Sequence, residues 1–186
     1  MPEAELLPKL IWLDLEMTGL DPDSERIIEI ATIVTNYDLT GEIEGPNLVI
    51  KQPREFITNM DEWNTLHHNE SGLIDSLKVT KTTAQDAENE TLNFLKKYTI
   101  KGQSPLCGNS ISHDRRFLNR YMPELASFFH YRNIDVSSIK ELVKRWQPEL
   151  LNGVFKTSSH RALSDIKESI EELRYYKRNI FEISEN

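Results

Sequence analysis

From Lys9 to Glu16, apolar Ile11, Leu13 and Leu15 alternate with Trp12, Asp14 and Glu16, the period of a strand that Thr18 and Gly19 bring to an end. "RIIEIATIVTNYDLTGEIEGPNLVIK" predicts two further strands, Arg26 to Tyr37 and Asn47 to Lys51, joined by a turn near Asp38 and Gly41 and forming an antiparallel meander with the first. "MDEWNTLHHNESGLIDSLK" has no clear period and predicts short helices between turns. Thr82 and Gln85 predict a capping box for a helix running to about Tyr98. "PLCGN" then reads as a short buried strand, and "SHDRRFLNRYM" as a helix that stops before Pro123. "RNIDVSSIKELVKRW" reads as strand, then a helix capped by Ser138 with Glu141. The last helix, about Arg161 to Tyr176, carries the apolar stripe Leu163, Ile166, Ile170 and Leu173. Three leading strands followed by alternating helices and strands predict an α/β fold with a mixed β-sheet of about five strands flanked by helices.

With 186 residues, no repeat and no linker, the pattern fits a single domain spanning 1–186. Hydrophobic residues at 38% and aromatics at 9% argue against disorder, and no apolar run is long enough to span a bilayer. The opening "MPEAELLPKL" lacks the basic flank and apolar stretch of a secretory leader, and Cys107 is the sole cysteine, so a cytoplasmic location is expected. One cysteine also excludes the cysteine-rich zinc patterns, so any metal must be held by oxygen or imidazole. The formal charge of −8 has the wrong sign for gripping long nucleic acid through its phosphates, and a polynucleotide substrate would have to be short or locally held.

Composition therefore returns attention to the acids of the first strand. Residues two apart on a strand share a face, so Asp14 and Glu16 set two carboxylates side by side. Together they are costly unless protons or cations compensate them, and Mg²⁺-like ions are the usual oxygen-ligand partners. Alone, a D-x-E reads as well as two surface charges. "GNSISHDRRFL", however, puts Asp114 just after the buried strand, and "HRALSDI" puts His160 and Asp165 around the start of the last helix. Individually Asp114 suits a first helical turn, Asp165 a solvated helix face and His160 a cap. The ordered set is harder to obtain by chance.

That set resembles the DEDDh 3′-to-5′ exonucleases of the ribonuclease H-like fold. "IWLDLEMTGLDP", "MDEWN", "SGL", "GNSISHDRRFL", "YRNIDVSSIKEL", "HRALSDI" and "ELRYYK", in that order, make nearly the whole chain similar to an oligoribonuclease. Ser164, where many relatives would carry another acid, departs from the pattern without touching the five-residue set. The resemblance implies that Asp14, Glu16, Asp114 and Asp165 hold two divalent ions, Mg²⁺ or Mn²⁺, and that His160 is the general base. It further implies that Leu20 and Trp63 sandwich the bases and that His68 and Ser110 line the pocket. Arg132 and Ser137 would cap a 5′ phosphate, with Tyr131 and Arg132 reaching across a homodimer. The implied substrates are short RNA oligonucleotides, dinucleotides above all, released as 5′-mononucleotides at the end of RNA degradation. By residue chemistry alone Trp63 also fits a core anchor, Ser137 a helix-start hydroxyl and Arg132 a surface ion pair. Asp135 reads as structural, and Cys107 as a small core residue. The competing expectations are a DEDDh exonuclease acting on long strands and a catalytically silent nucleic-acid-binding protein.

Overall fold

A computed structural model describes residues 9–154 and 160–181. The opening segment read above for a leader, residues 1–8, lies outside them. Five strands, β1 (Lys9–Met17), β2 (Ile27–Asn36), β3 (Ile43–Val49), β4 (Leu106–Gly108) and β5 (Asn133–Asp135), form one sheet in the order β3-β2-β1-β4-β5. The meander β1-β2-β3 is antiparallel, while β4 and β5 run parallel to β1. This is the expected mixed sheet of an α/β fold.

Among the described residues eight α-helices surround it: α1 (Arg54–Thr58), α2 (Glu62–Glu70), α3 (Leu73–Val79), α4 (Ala84–Leu95), α5 (Ile111–Tyr121), α6 (Pro123–Ala126), α7 (Val136–Trp146) and α8 (Ala162–Tyr176). Because β1 is central, both of its faces are covered. Ile11, Leu13 and Leu15 pack with Leu92, Leu95, Phe117 and Leu118 of α4 and α5, whereas Trp12 joins Val136, Val143, Ile166 and Ile170 of α7 and α8. Asp14 and Glu16 continue the Trp12 face, so the two acids of β1 look toward the layer that contains α8.

Three local expectations are corrected. The third strand runs Ile43–Val49 rather than Asn47 to Lys51, because it is the sheet's edge, where Pro46 is tolerated and alternation is weak. The α4 capping box is Thr83 with Asp86, one residue later than Thr82 with Gln85. The Thr82 carbonyl accepts the Lys51 N–H at 2.8 Å, which holds Thr82 outside the helix. The cap of α7 is Asp135, whose carboxylate accepts the Ser137 N–H at 2.9 Å, and not Ser138. Glu141, expected to complete that cap, pairs instead with Arg145 one turn on.

Candidate active site

The site forms where β1 and β4 end and α5 and α8 begin, the usual ligand position of parallel strands. Strand β4 stops at Gly108, and beyond it the Leu15 N–H donates to Asp114 Oδ1 at 3.0 Å. A Cβ on Gly108 would lie 3.0 Å from the Leu13 carbonyl oxygen, so glycine permits this close approach of the β4–α5 turn to β1. Asp114, in the first turn of α5 and 5% exposed, is thereby tied to the residue between Asp14 and Glu16. From the other layer, Asp165 enters on the first turn of α8. Asp14, Glu16 and Asp165 each offer a carboxylate oxygen within 4.8 Å of the others. One strand and two helix starts thus bring together four predicted acids, three in a shared cluster and Asp114 through the intervening backbone.

Burial first, then the charges of Asp114, Glu16, Asp165 and Glu29, raises the Asp14 carboxyl well above its ordinary value. Burial and the charges of Asp165, Glu29 and Asp114 push Glu16 up to about 8. Burial pushes Asp114 up to about 7 against the opposing Leu15 hydrogen bond. Carboxylates crowded this way hold protons until a cation replaces them. The donors are all carboxylate oxygens, which fits a hard divalent cation and not a thiolate-seeking one.

His160 begins the entry to α8 with φ of +49°, and its ring stands edge-on to His67 at 4.5 Å and to Trp63 at 5.7 Å. His67 stacks on Trp63 at 3.9 Å, making a ring platform on α2. Burial, then the His67 charge, lowers the His160 pKa, while Glu70 and Glu168 oppose the shift. The imidazole is therefore neutral at pH 7, the form that accepts a proton.

His68 is 2% exposed. Its Nε2 lies 2.9 Å from the Met17 carbonyl, so that nitrogen carries the hydrogen and donates it. Nδ1 faces Glu16 Oε2 at 3.9 Å, too far for a hydrogen bond. Burial keeps this ring neutral too.

Trp63 is 58% exposed and Leu20 74% exposed, so neither anchors the core and both side chains face solvent. The Leu20 loop is closed by Thr18, whose hydroxyl pairs with Glu25 and accepts the Arg26 N–H at 2.9 Å. Ser110 and Ser137 meet with their hydroxyl oxygens 3.2 Å apart, and Asp135 accepts the backbone N–H of both. Tyr131 is 73% exposed, with the Arg132 guanidinium 5.2 Å and the His130 ring 4.4 Å from its ring centre.

Glu29 and Arg161 were not legible as site residues. Glu29, fully buried on β2, lies opposite Glu16 in the strand register and receives Arg161 Nη2 at 2.7 Å and Nε at 3.0 Å. The signal available was a lone acid inside the apolar run "RIIEIATIV" and an arginine adjoining His160.

Fold and acid cluster together define a metal-dependent nuclease of the exonuclease class, and the exonuclease (RNase_T) family model matches residues 11–173. Solved structures of the same fold include exonuclease I from Methylocaldum szegediense (TM-score 0.66, 17% identity, 94% of this chain). The zinc-bound E. coli ExoI–ssDNA complex matches with TM-score 0.68 and 15% identity, again over 94% of this chain. This chain spans 41% of each of those longer chains. Oligoribonuclease of Shewanella frigidimarina is 57% identical over 174 residues, covering 94% of this chain and 96% of that protein. Oligoribonuclease of Legionella pneumophila (strain Corby) is 56% identical over 176 residues, covering 95% and 94%. The chain belongs to the oligoribonuclease family of exonucleases.

Proposed function

We propose that this protein is a 3′-to-5′ exoribonuclease that hydrolyses short oligoribonucleotides, dinucleotides above all, to 5′-mononucleotides, the terminal step of RNA degradation. The observation that carries the chemistry is the convergence of Asp14, Glu16 and Asp165 oxygens within 4.8 Å, with Asp114 held against the same strand. Asp14, Glu16, Asp114 and Asp165 would hold two divalent ions, Mg²⁺ or Mn²⁺. Such ions activate water, neutralise charge on the phosphoryl group and stabilise the leaving 3′ oxygen.

The chain's own residues do the rest. His160, kept neutral by burial, takes the proton of the attacking water. Asp114 is oriented by the Leu15 N–H, which ties one of its oxygens to the strand of Asp14 and Glu16. Leu20 and Trp63 clasp the bases, and a base stacked on the Trp63 ring contributes roughly 1 to 3 kcal/mol. His68, its proton committed to the Met17 carbonyl, lines the pocket beside Glu16.

Ser110, Ser137, Arg132 and Tyr131 would terminate the site at the 5′ phosphate, leaving room for little beyond two nucleotides. A net charge of −8 supports this reading, since it disfavours a long phosphate track. A homodimer is supported by an apolar groove of about 160 Å³ between α7 and the turn after α8, where Leu142, Trp146 and Phe181 are exposed. A single domain over 1–186 and a cytoplasmic setting complete the proposal; no described helix is long and apolar enough to cross a membrane. Incubating the protein with Mg²⁺ and RNAs of two to several nucleotides, with His160→Ala as control, tests it: dinucleotide must be consumed fastest and the variant must lose turnover.

A further inference from the structure

His160 makes ring contacts to His67 and Trp63 and takes a φ of +49°, in the sparsely populated left-handed region. The two residues that follow it are anchored. Arg161 lays its guanidinium on the buried carboxylate of Glu29, Nη2 to Oε1 at 2.7 Å and Nε to Oε1 and Oε2 at 3.0 and 3.2 Å. The Ala162 N–H, the first of α8, donates to Glu29 Oε2 at 3.1 Å. Arg161 Nη1 also reaches the Ser71 carbonyl at 3.4 Å, at the junction of α2 and α3, the same α2 that carries the ring platform.

One carboxylate on β2 therefore fixes the backbone immediately after His160 and caps the helix that delivers Asp165. A fork-shaped guanidinium on a carboxylate defines direction as well as distance, which a lysine cannot reproduce. We propose that Glu29 and Arg161 are positioning residues for the reaction, acting by holding His160 at the angle from which its imidazole reaches the water. This rests on the reading of His160 as the base. Glu29 touches neither water nor substrate in this account; it acts through Arg161 and the Ala162 N–H.

The test is a double-mutant cycle in Mg²⁺-saturated enzyme on a dinucleotide, measured under single-turnover and steady-state conditions. Glu29→Gln keeps an acceptor of the same shape but loses the charge. Its kcat is expected to fall about tenfold with KM changed by less than about twofold. In the His160→Ala background the same substitution should change the rate by less than about twofold, since there is no imidazole left to position. Calorimetric Mn²⁺ binding by Arg161→Lys, which leaves both charges in place, should match the wild type, which separates an effect on His160 from one on the acids. Arg161→Lys, which keeps the charge without the fork, should reproduce the kcat loss and covers the case in which Glu29→Gln fails to fold. Equal losses in both backgrounds, weakened Mn²⁺ binding by Arg161→Lys, or unchanged kcat in both variants would each overturn the positioning role. Full turnover by His160→Ala alone would instead overturn the base assignment on which it rests.

Discussion

Glu16 on β1 and Glu29 on β2 are paired across the strands, yet they have opposite fates: Glu29 is answered by Arg161 at 2.7 Å, whereas Glu16 is pushed up to about 8 by burial and by acids. Glu29 is compensated within the chain. Glu16 is left to a ligand, and the bulge between Glu16 and Met17 turns the strand at that point.

The first prediction concerns pH. Glu16 at about 8 and Asp114 at about 7 lie above their ordinary 4.5 and 3.8, so the metal-free fold keeps protons that the unfolded chain has released. Stability from these groups is fully present below the ordinary carboxylate range and is lost as pH rises through 7 and 8. In EDTA, Tm should fall between pH 5 and pH 8, and saturating Mg²⁺ should remove that decline. A Tm that climbs across this interval in EDTA contradicts the account.

Asp14→Asn separates function from stability. Removing one carboxylate from the cluster should lower kcat by about 10²- to 10³-fold, the scale of losing one strong electrostatic contact to the reacting group. The same substitution relieves like-charge repulsion, so in EDTA at pH 8 its Tm should exceed that of the wild type. Scanning calorimetry beside a rate assay reads both.

The fold was legible wherever one period dominated. β1, β2, α5 and α8 carry clear alternation or an apolar stripe and lie within a residue or two of where the sequence puts them. The edge strand β3 was misplaced because an exposed edge has no pattern to enforce, and both misassigned caps turn on which carbonyl or carboxylate the tertiary structure had already engaged. At the site, the acids were readable from spacing. Glu29 was not, because a strand's periodicity cannot tell a buried acid that meets an arginine 132 positions away from one that faces water.

Trp63→Ala tests the stacking platform. Losing a base contact of roughly 1 to 3 kcal/mol should raise KM for a dinucleotide about 5- to 150-fold. Because His67 and His160 both rest against this ring, kcat should fall as well, which distinguishes Trp63 from the aliphatic Leu20.

Asp135 is the acid that is not a metal ligand in this account. Its carboxylate accepts two backbone N–H groups, from Ser110 and Ser137, so Asp135→Ala should cost about 0.5 to 2 kcal/mol of stability as a lost cap. Mn²⁺ affinity should be unchanged by titration calorimetry; a loss of affinity would place Asp135 among the ligands.

The central claim is a site built for the shortest RNA. The most direct measurement follows 5′-labelled RNAs of two to seven nucleotides in Mg²⁺ and compares kcat/KM across lengths. The account predicts the highest value for the dinucleotide, a steep fall as nucleotides are added, and 5′-mononucleotides as products. Efficient trimming of the longer strands that halts at dinucleotides would contradict it, leaving the metal chemistry in place but removing the closed 5′ end.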